Sequence, residues 1–262
     1  YLEAFLHSET QLEGRILITA GPTYEHLDPV RYLGNHSSGK MGFSIAKAAL
    51  SKGYAVELIA GPSKEELVHP NLKRHDVISA NEMLVKVEEL WDTCHYGIFS
   101  AAVADYRPAE KSSNKIKKNE GEINMPLIKN PDILSWASAH RKNKQKVIGF
   151  ALETNNEEEN ALTKLESKNL DMIVLNSTQD DQATFGGDLN KVTIFDKNKN
   201  KTEFPLKSKL DIGFELINLI SKIGVSSIVS SSSSSSSSSS FFSFLFFRIF
   251  FSLTIALLTV IL

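Results

Sequence analysis

Three stretches of the 262-residue chain gather residues able to handle an anionic substrate. The first is AGPTYEHLDPVRYLGNHSSGKMG, residues 20–42. Gly21, Gly34, Gly39 and Gly42 let backbone come close to a ligand, and Ser37, Ser38 and the amides that open the following helix offer donors to an anion. Together they read as a phosphate cradle. The second is AAVADYRPAEKSSNKIKK, residues 101–118. There Asp105 lies just past a strand end, where a carboxylate can accept from a ribose or base, and Lys115, Lys117 and Lys118 put three cations on one loop. The third combines KNPDI (129–133), GFALET (149–154) and the pair Lys164 and Lys168, which are four apart and so share one helix face. Each piece also has an ordinary structural reading. A lone glycine makes a strand-to-helix turn, a lysine run is a solvated surface, Lys164 and Lys168 can pair with the acids of EEEN (157–160), and Phe150 by itself would be core.

Two common phosphate motifs do not fit. Gly34 to Gly39-Lys40 has Walker A spacing, but Met41 stands where a Mg²⁺-binding Ser or Thr is needed, and the loop starts many residues after its strand. A dinucleotide fingerprint fails on glycine spacing, and the second strand ends in Ala60-Gly61-Pro62 with no acid for a ribose hydroxyl. This argues against a nicotinamide-dependent oxidoreductase without excluding a Rossmann-like topology.

The elements that must position these residues alternate. RILITA (15–20) is an apolar strand, followed by a helix with Phe43, Ile45, Ala46, Ala49 and Leu50 on its apolar face and Gly53 at its end. YAVELIA (54–60), RHDVIS (74–79) and YGIFSAAVA (96–104) read as strands, and ANEMLVKVEELW (80–91) as a helix. Residues 107–122 read as a mobile loop, and Pro131-Asp132 opens a helix. KVIGFAL (146–152) and DMIVLN (171–176) are strands on either side of an acidic helix, 157–168, capped by Asn155 and Asn156. KVTIF (191–195) and KTEFP (201–205) form a hairpin around DKNKN, and a last helix covers about 207–222. The expected fold is α/β: a doubly wound, mostly parallel sheet with helices on both faces and a small C-terminal hairpin, binding ligands at the carboxyl ends of its strands.

With 29 basic and 31 acidic residues the net charge is −2, so no global positive field points to nucleic acid. The one cysteine, Cys94, precludes an intramolecular disulfide and a cysteine-rich metal site, and fits a reducing, cytoplasmic setting. No set of metal ligands can be named. The start, YLEAFLHSETQ (1–11), has neither the pattern of a secretory signal nor an initiating Met, and reads as a linker remnant. Residues 12–228 form the α/β domain. Residues 229–240 are a serine-rich linker, and 241–262 are apolar apart from Arg248 and a few hydroxyls. About 20 apolar residues can span a bilayer. The tail is read either as a membrane anchor, which would alter the localisation, or as a sequence artefact.

The motifs quoted above, with KIKK (115–118) and FGGDLNKV (185–192), occur in the order found in a known family. From about residue 12 to 222 the chain resembles the phosphopantothenoylcysteine synthetases, the CTP-using ligase domains of bacterial coenzyme A enzymes. The resemblance implies joining of L-cysteine to 4'-phosphopantothenate through an acyl-cytidylate, with release of pyrophosphate and CMP and with Mg²⁺ required. It places Asp105, Lys115, the segment Asn130, Pro131, Asp132 and Ile133, Phe150, Lys164 and Lys168 on the CTP. It assigns Gly21, Ser37, Ser38 and Gly39 to the triphosphate cradle, Asn35 to the acyl carboxyl, and Lys115 also to a flap that closes over the intermediate. Arg31 is given the task of holding the site together or binding an anion. The resemblance further implies a homodimer, and fusion to or cooperation with a phosphopantothenoylcysteine decarboxylase, of which YLEAFLHSETQ would be the linker end.

Overall fold

The structure is a computed structural model, which describes residues 14–117, 123–142, 144–177 and 187–232, with side chains as far as residue 223. Its centre is a sheet of eight strands: β1 (Arg15–Ala20), β4 (Ala55–Ala60), β5 (Leu72–Asp76), β6 (Tyr96–Phe99), β9 (Lys146–Glu153), β10 (Met172–Ser177), β11 (Leu189–Asp196) and β12 (Lys201–Ser208). They lie in the order β12-β11-β10-β9-β6-β1-β4-β5. Every pair from β10 to β5 is parallel, and β11 and β12 add an antiparallel edge. The C-terminal hairpin therefore extends the main sheet.

The central strands β1, β4, β6, β9 and β10 are mainly apolar because both faces are covered, whereas the edge strands β5, β11 and β12 carry polar, partly exposed residues. Leu17, Ile59, Val147 and Ile173 join one core with Met83, Val87 and Trp91 of α2 (Ala80–Trp91), Ile133 and Ala137 of α3 (Ile133–Ala139), and Ala161 and Leu165 of α4 (Glu157–Ser167). Full burial of each large apolar side chain contributes about 1.5–3 kcal/mol. On the opposite face α1 (Lys40–Ser51) approaches β1 so closely that a Cβ on Gly42 would lie 2.5 Å from Ala20 Cβ. The final helix, α5 (Lys209–Ser232), buries Ile212, Leu216 and Ile217.

The chain runs from β1 outward to β4 and β5, then crosses back to place β6 on the other side of β1. The strand order thus reverses between β1 and β6, and a crevice opens there at the carboxyl ends, the usual ligand position in such sheets. Two short hairpins stand over it: β2 (Tyr24–His26) with β3 (Tyr32–Gly34), and β7 (Tyr106–Pro108) with β8 (Leu127–Lys129).

Several expected boundaries shift: β5 starts at Leu72, β11 at Leu189 and the last helix at Lys209, and β12 runs on to Ser208. β5 ends at Asp76 instead of residue 79, since Val77 N–H bonds Ala60 O, Ile78 O accepts from Tyr24 N–H, and Ser79 caps α2 by accepting from Glu82 N–H. β6 ends at Phe99 instead of 104: beyond it Ser100 Oγ donates to Thr19 O at 2.7 Å and Ala102 bridges to Pro22. Asn156 occupies the cap position of α4 in the left-handed region (φ 46°), without a side-chain cap bond. The last helix continues to Ser232, because 223–232 contain no proline and Gly224 alone costs only about 1 kcal/mol. Residues 118–122, 178–186 and 233–262, which include Lys118, Phe185 and the apolar tail, lie outside the described residues; among the described ones, no helix is long and apolar enough to cross a membrane.

Candidate active site

The floor of the crevice is backbone. Gly21, with φ at +79°, turns the chain out of β1, and its carbonyl accepts from Ala102 N–H at 2.9 Å, tying the loop after β1 to the loop after β6. A side chain there would be strained by the dihedral and would crowd Gly61 O at 3.1 Å. Gly39, φ +85°, is the N-cap of α1, and its missing Cβ leaves room for Ser63 Oγ, which would otherwise lie 2.9 Å away. Ser63 Oγ donates to Ser38 O at 2.6 Å. Ser37 Oγ accepts from Gly39 N–H at 3.3 Å and Ser38 Oγ from Lys40 N–H at 3.4 Å. These are weak bonds, and an anion at the start of α1 could replace them.

Asn35, just after β3, reaches over the same crevice. Its Nδ2 donates to Val103 O at 3.0 Å and lies 3.5 Å from Ala102 O. An amide nitrogen carries two hydrogens: the Val103 bond takes one, and the other is held only by the long contact to Ala102 O, which a substrate oxygen could replace.

The opposite wall holds the other residues expected on the nucleotide. Asp132 caps α3 by accepting from Ser135 N–H at 3.0 Å, and its other oxygen accepts from Lys168 Nζ at 2.6 Å. Burial by itself would raise the Asp132 carboxyl, but the Lys168 and Ser135 bonds outweigh it and hold it below its ordinary value. Lys164 Nζ donates to Phe150 O at 2.9 Å. Burial, then the Lys168 charge, pull this ammonium below the usual lysine range, while Glu153, Asp132 and Asp105 act in the other direction. Asp105, Asp132, Phe150 and the helix pair Lys164 and Lys168 are thus brought together from four separate segments. Asp105 is exposed; Ile133 is buried under the site at the start of α3. Asn130 has a framing place: its N–H bonds Asp105 O at 2.8 Å, its Nδ2 donates to Ala104 O at 2.8 Å, and its Oδ1 accepts from Arg107 at 3.1 Å. Pro131 follows it with no donor of its own.

Arg31 is held by the protein's own groups, although its side chain stays 44% exposed. Its Nε donates to Asp28 Oδ2 at 2.9 Å, a second guanidinium nitrogen also meets that oxygen, and the same nitrogen donates to Ile116 O at 2.8 Å. Asp28 is fully buried and also accepts from Val30, Arg31 and Ile116 N–H groups. The Arg31 hydrogen bond, ahead of the backbone donors, holds the Asp28 carboxyl well below the usual carboxylate range. Ser112 N–H adds a bond to Leu27 O at 2.9 Å. The expectation of a free loop from residue 107 is therefore corrected as far as 117: β7 starts it and the Asp28-Arg31 clasp fastens Ile116, leaving the neighbouring Lys115 exposed. Sequence reasoning missed Asp28. The signal was present in Asp28-Pro29, since Asp before Pro commonly bonds the backbone two or three residues on.

Cys94 is buried in the core beside Trp91, and burial pushes its thiol up to about 11, which makes it a poor nucleophile. Among the described residues no three His, Cys, Asp or Glu side chains converge on a possible metal position. A Mg²⁺ held by substrate phosphates and water fits this donor set better than a protein cage does.

Residues 12–223 match the family described as the DNA/pantothenate metabolism flavoprotein C-terminal domain. The chain is 46% identical over 221 residues to the coenzyme A biosynthesis bifunctional protein CoaBC of Haemophilus influenzae, covering 84% of this chain and 54% of that protein. It is 42% identical over 214 residues to a cysteine/cysteine sulfinic acid decarboxylase of an unknown prokaryotic organism, covering 81% of this chain and 60% of the relative. It therefore spans little more than half the length of these relatives. Among solved structures, the C-terminal domain of a coenzyme A biosynthesis bifunctional protein CoaBC superposes with a TM-score of 0.69 at 38% identity, covering 81% of this chain and 96% of that one.

Proposed function

The chain belongs to the DNA/pantothenate metabolism flavoprotein C-terminal domain family, and on that basis we propose that it is a phosphopantothenate–cysteine ligase that uses CTP. The observation that carries this reading is the meeting of two half-sites across the β1–β6 crevice. Asn35 and the Ser37-Ser38-Gly39 cradle stand on one side, the Asp105, Asp132, Lys164 and Lys168 group on the other, and the Asn35–Val103 bond joins them. A reaction between two anions needs such a layout, because both must be held together while developing charge is stabilised.

In this reading the ribose and base of CTP lie against Asp105, the Asn130 to Ile133 turn, Phe150, Lys164 and Lys168, and the triphosphate crosses the crevice to Gly21 and Ser37 to Gly39. The carboxylate of 4'-phosphopantothenate attacks the α-phosphorus and pyrophosphate leaves. The cysteine amine then attacks the acyl carbon, and CMP leaves with the bridging oxygen. The second donor of Asn35, leaving its weak contact to Ala102 O, meets the acyl oxygen as it becomes an oxyanion, and Lys115 closes on the mixed anhydride from a flap anchored at Ile116. Mg²⁺, carried by the triphosphate, neutralises phosphate charge. The product would pass to a decarboxylase, fused or separate, in keeping with the greater length of the relatives. The protein is read as a homodimer, and exposed Val30, Tyr32, Tyr106, Leu127 and Ile128 on the two short hairpins give it an apolar contact surface.

The test is an assay of the full chain with CTP, Mg²⁺, 4'-phosphopantothenate and cysteine. CMP release that requires all three organic substrates supports the ligase. Nucleotide binding without cysteine-dependent CMP release would leave a binding module and refute it.

A further inference from the structure

The FGGDLNKV motif has no part in the chemistry described so far, yet one ion pair links it to the cradle across 148 residues: Lys40 Nζ donates to Asp188 Oδ1 at 2.7 Å. Lys209 arrives at the same place. Its backbone N–H donates to Asp188 O at 2.9 Å, and its ammonium meets Gly187 O. Lys40 and Lys209 are close enough to repel one another, and both feel the charge of Glu65. Glu65 N–H bonds Ser63 Oγ at 3.2 Å, and Ser63 in turn holds Ser38 O. The lysine pair therefore borders the Ser37 to Gly39 cradle.

The charge balance of this group is lopsided. The Asp188 carboxylate is 84% exposed, whereas the Lys40 side chain is 31% exposed. An exposed carboxylate facing an ammonium is held weakly, because water screens the attraction. Lys209 has only a carbonyl against its ammonium among the described hydrogen bonds; burial, followed by the repulsion of Lys40, holds it below the ordinary lysine range. Two cations beside a loop of weak, replaceable hydrogen bonds suit a multiply charged anion better than they suit one aspartate.

We propose that Lys40 and Lys209 form a phosphate subsite at the end of the cradle, which takes the β- and γ-phosphates of the nucleotide and the pyrophosphate they become, with Asp188 as a latch occupying Lys40 until an anion displaces it. The identity of the anion rests on the ligase reading; the existence of the subsite does not. The phosphomonoester of 4'-phosphopantothenate presents the same chemistry, so both sources are tested.

The experiment is calorimetric binding of inorganic pyrophosphate, 4'-phosphopantothenate and pantothenate to the full chain and to Lys40→Gln, Lys209→Gln, Lys209→Arg and Asp188→Asn, with melting curves to establish folding. Loss of a charge-assisted bond should weaken pyrophosphate by at least about tenfold in each Gln variant. Lys209→Arg should keep most of the affinity, and Asp188→Asn should bind pyrophosphate no more weakly than the original, since it removes a competitor. Wild-type pyrophosphate affinity in both Gln variants overturns the proposal. Equal losses in Asp188→Asn and Lys40→Gln also overturn it, for the pair would then be a strut. A loss confined to 4'-phosphopantothenate, absent for pantothenate, overturns the nucleotide assignment and gives the subsite to the acyl substrate. A wild-type chain that binds pyrophosphate but releases no CMP refutes the ligase reading and leaves the subsite standing.

Discussion

Asn35 and Lys115 occupy opposite kinds of position, and their substitutions should fail differently. The Asn35 amide is anchored to Val103 O, with its second donor held only weakly by Ala102 O. In the proposed reaction, Asn35→Asp would keep the size but put a negative charge where the oxyanion is proposed to form, and loss of one such donor typically lowers rate by about 10²–10³. A single-turnover experiment should show pyrophosphate still released in a burst while amide formation falls by that factor; equal losses in both would place Asn35 in the first step. Lys115 is an exposed cation on the flap. Lys115→Gln should depress turnover strongly with no change in melting temperature, because an exposed lysine contributes little to stability. Near-normal turnover would return KIKK to a solvated surface. Residue types and strand-end positions were legible in the sequence, and Asp132 with Lys168 did come together. The pairings were not legible: that Asn130 would frame the site, or that Arg31 would be claimed by Asp28, depends on contacts between segments whose spacing along the chain says nothing about distance in space.

Among the elements, the long apolar strands and the 80–91 helix could be read directly, since burial on both faces leaves a continuous apolar signal. The three-residue strands β2, β3, β7 and β8 could not, being too short to show a period. They matter because the Leu27 to Arg31 turn between β2 and β3 fastens the flap. Asp28→Asn removes the charge that Arg31 and the Ile116 N–H both engage, so the flap should open. Trypsin should then cleave after Lys115 several-fold faster in the variant while the melting transition stays cooperative; an unchanged cleavage rate would show that the clasp does not restrain the flap. The pH dependence has a definite sign. Because the folded Asp28 carboxyl lies well below its ordinary value, the clasp's stabilisation is present above the normal carboxylate range and is lost only as pH falls toward the depressed value. In the wild type, cleavage after Lys115 should therefore stay slow across the neutral and mildly acidic range.

For the whole molecule, the topological reversal between β1 and β6 sets which loops meet, and the family match over 12–223 extends along the same sheet. Under the proposed ligase reading, a nucleotide base would lie against the wall built by 101–105 and 130–133, and the backbone groups there not already bonded within the protein should read a pyrimidine edge. The specificity constant for CTP should exceed that for ATP by tenfold or more, a difference of about 1.4 kcal/mol or greater; comparable values would assign the chain to an ATP-using branch. The path of the carboxylate oxygen tests the proposed activation of the acyl group as a cytidylate. With heavy-oxygen label in both carboxylate positions of 4'-phosphopantothenate, attack on the α-phosphorus followed by cysteine attack on the acyl carbon leaves one labelled oxygen in the CMP and one in the new amide, with none in pyrophosphate. Mass spectrometry of the released CMP reads this directly. CMP carrying one labelled oxygen per product is the predicted result, and unlabelled CMP beside labelled product would contradict it.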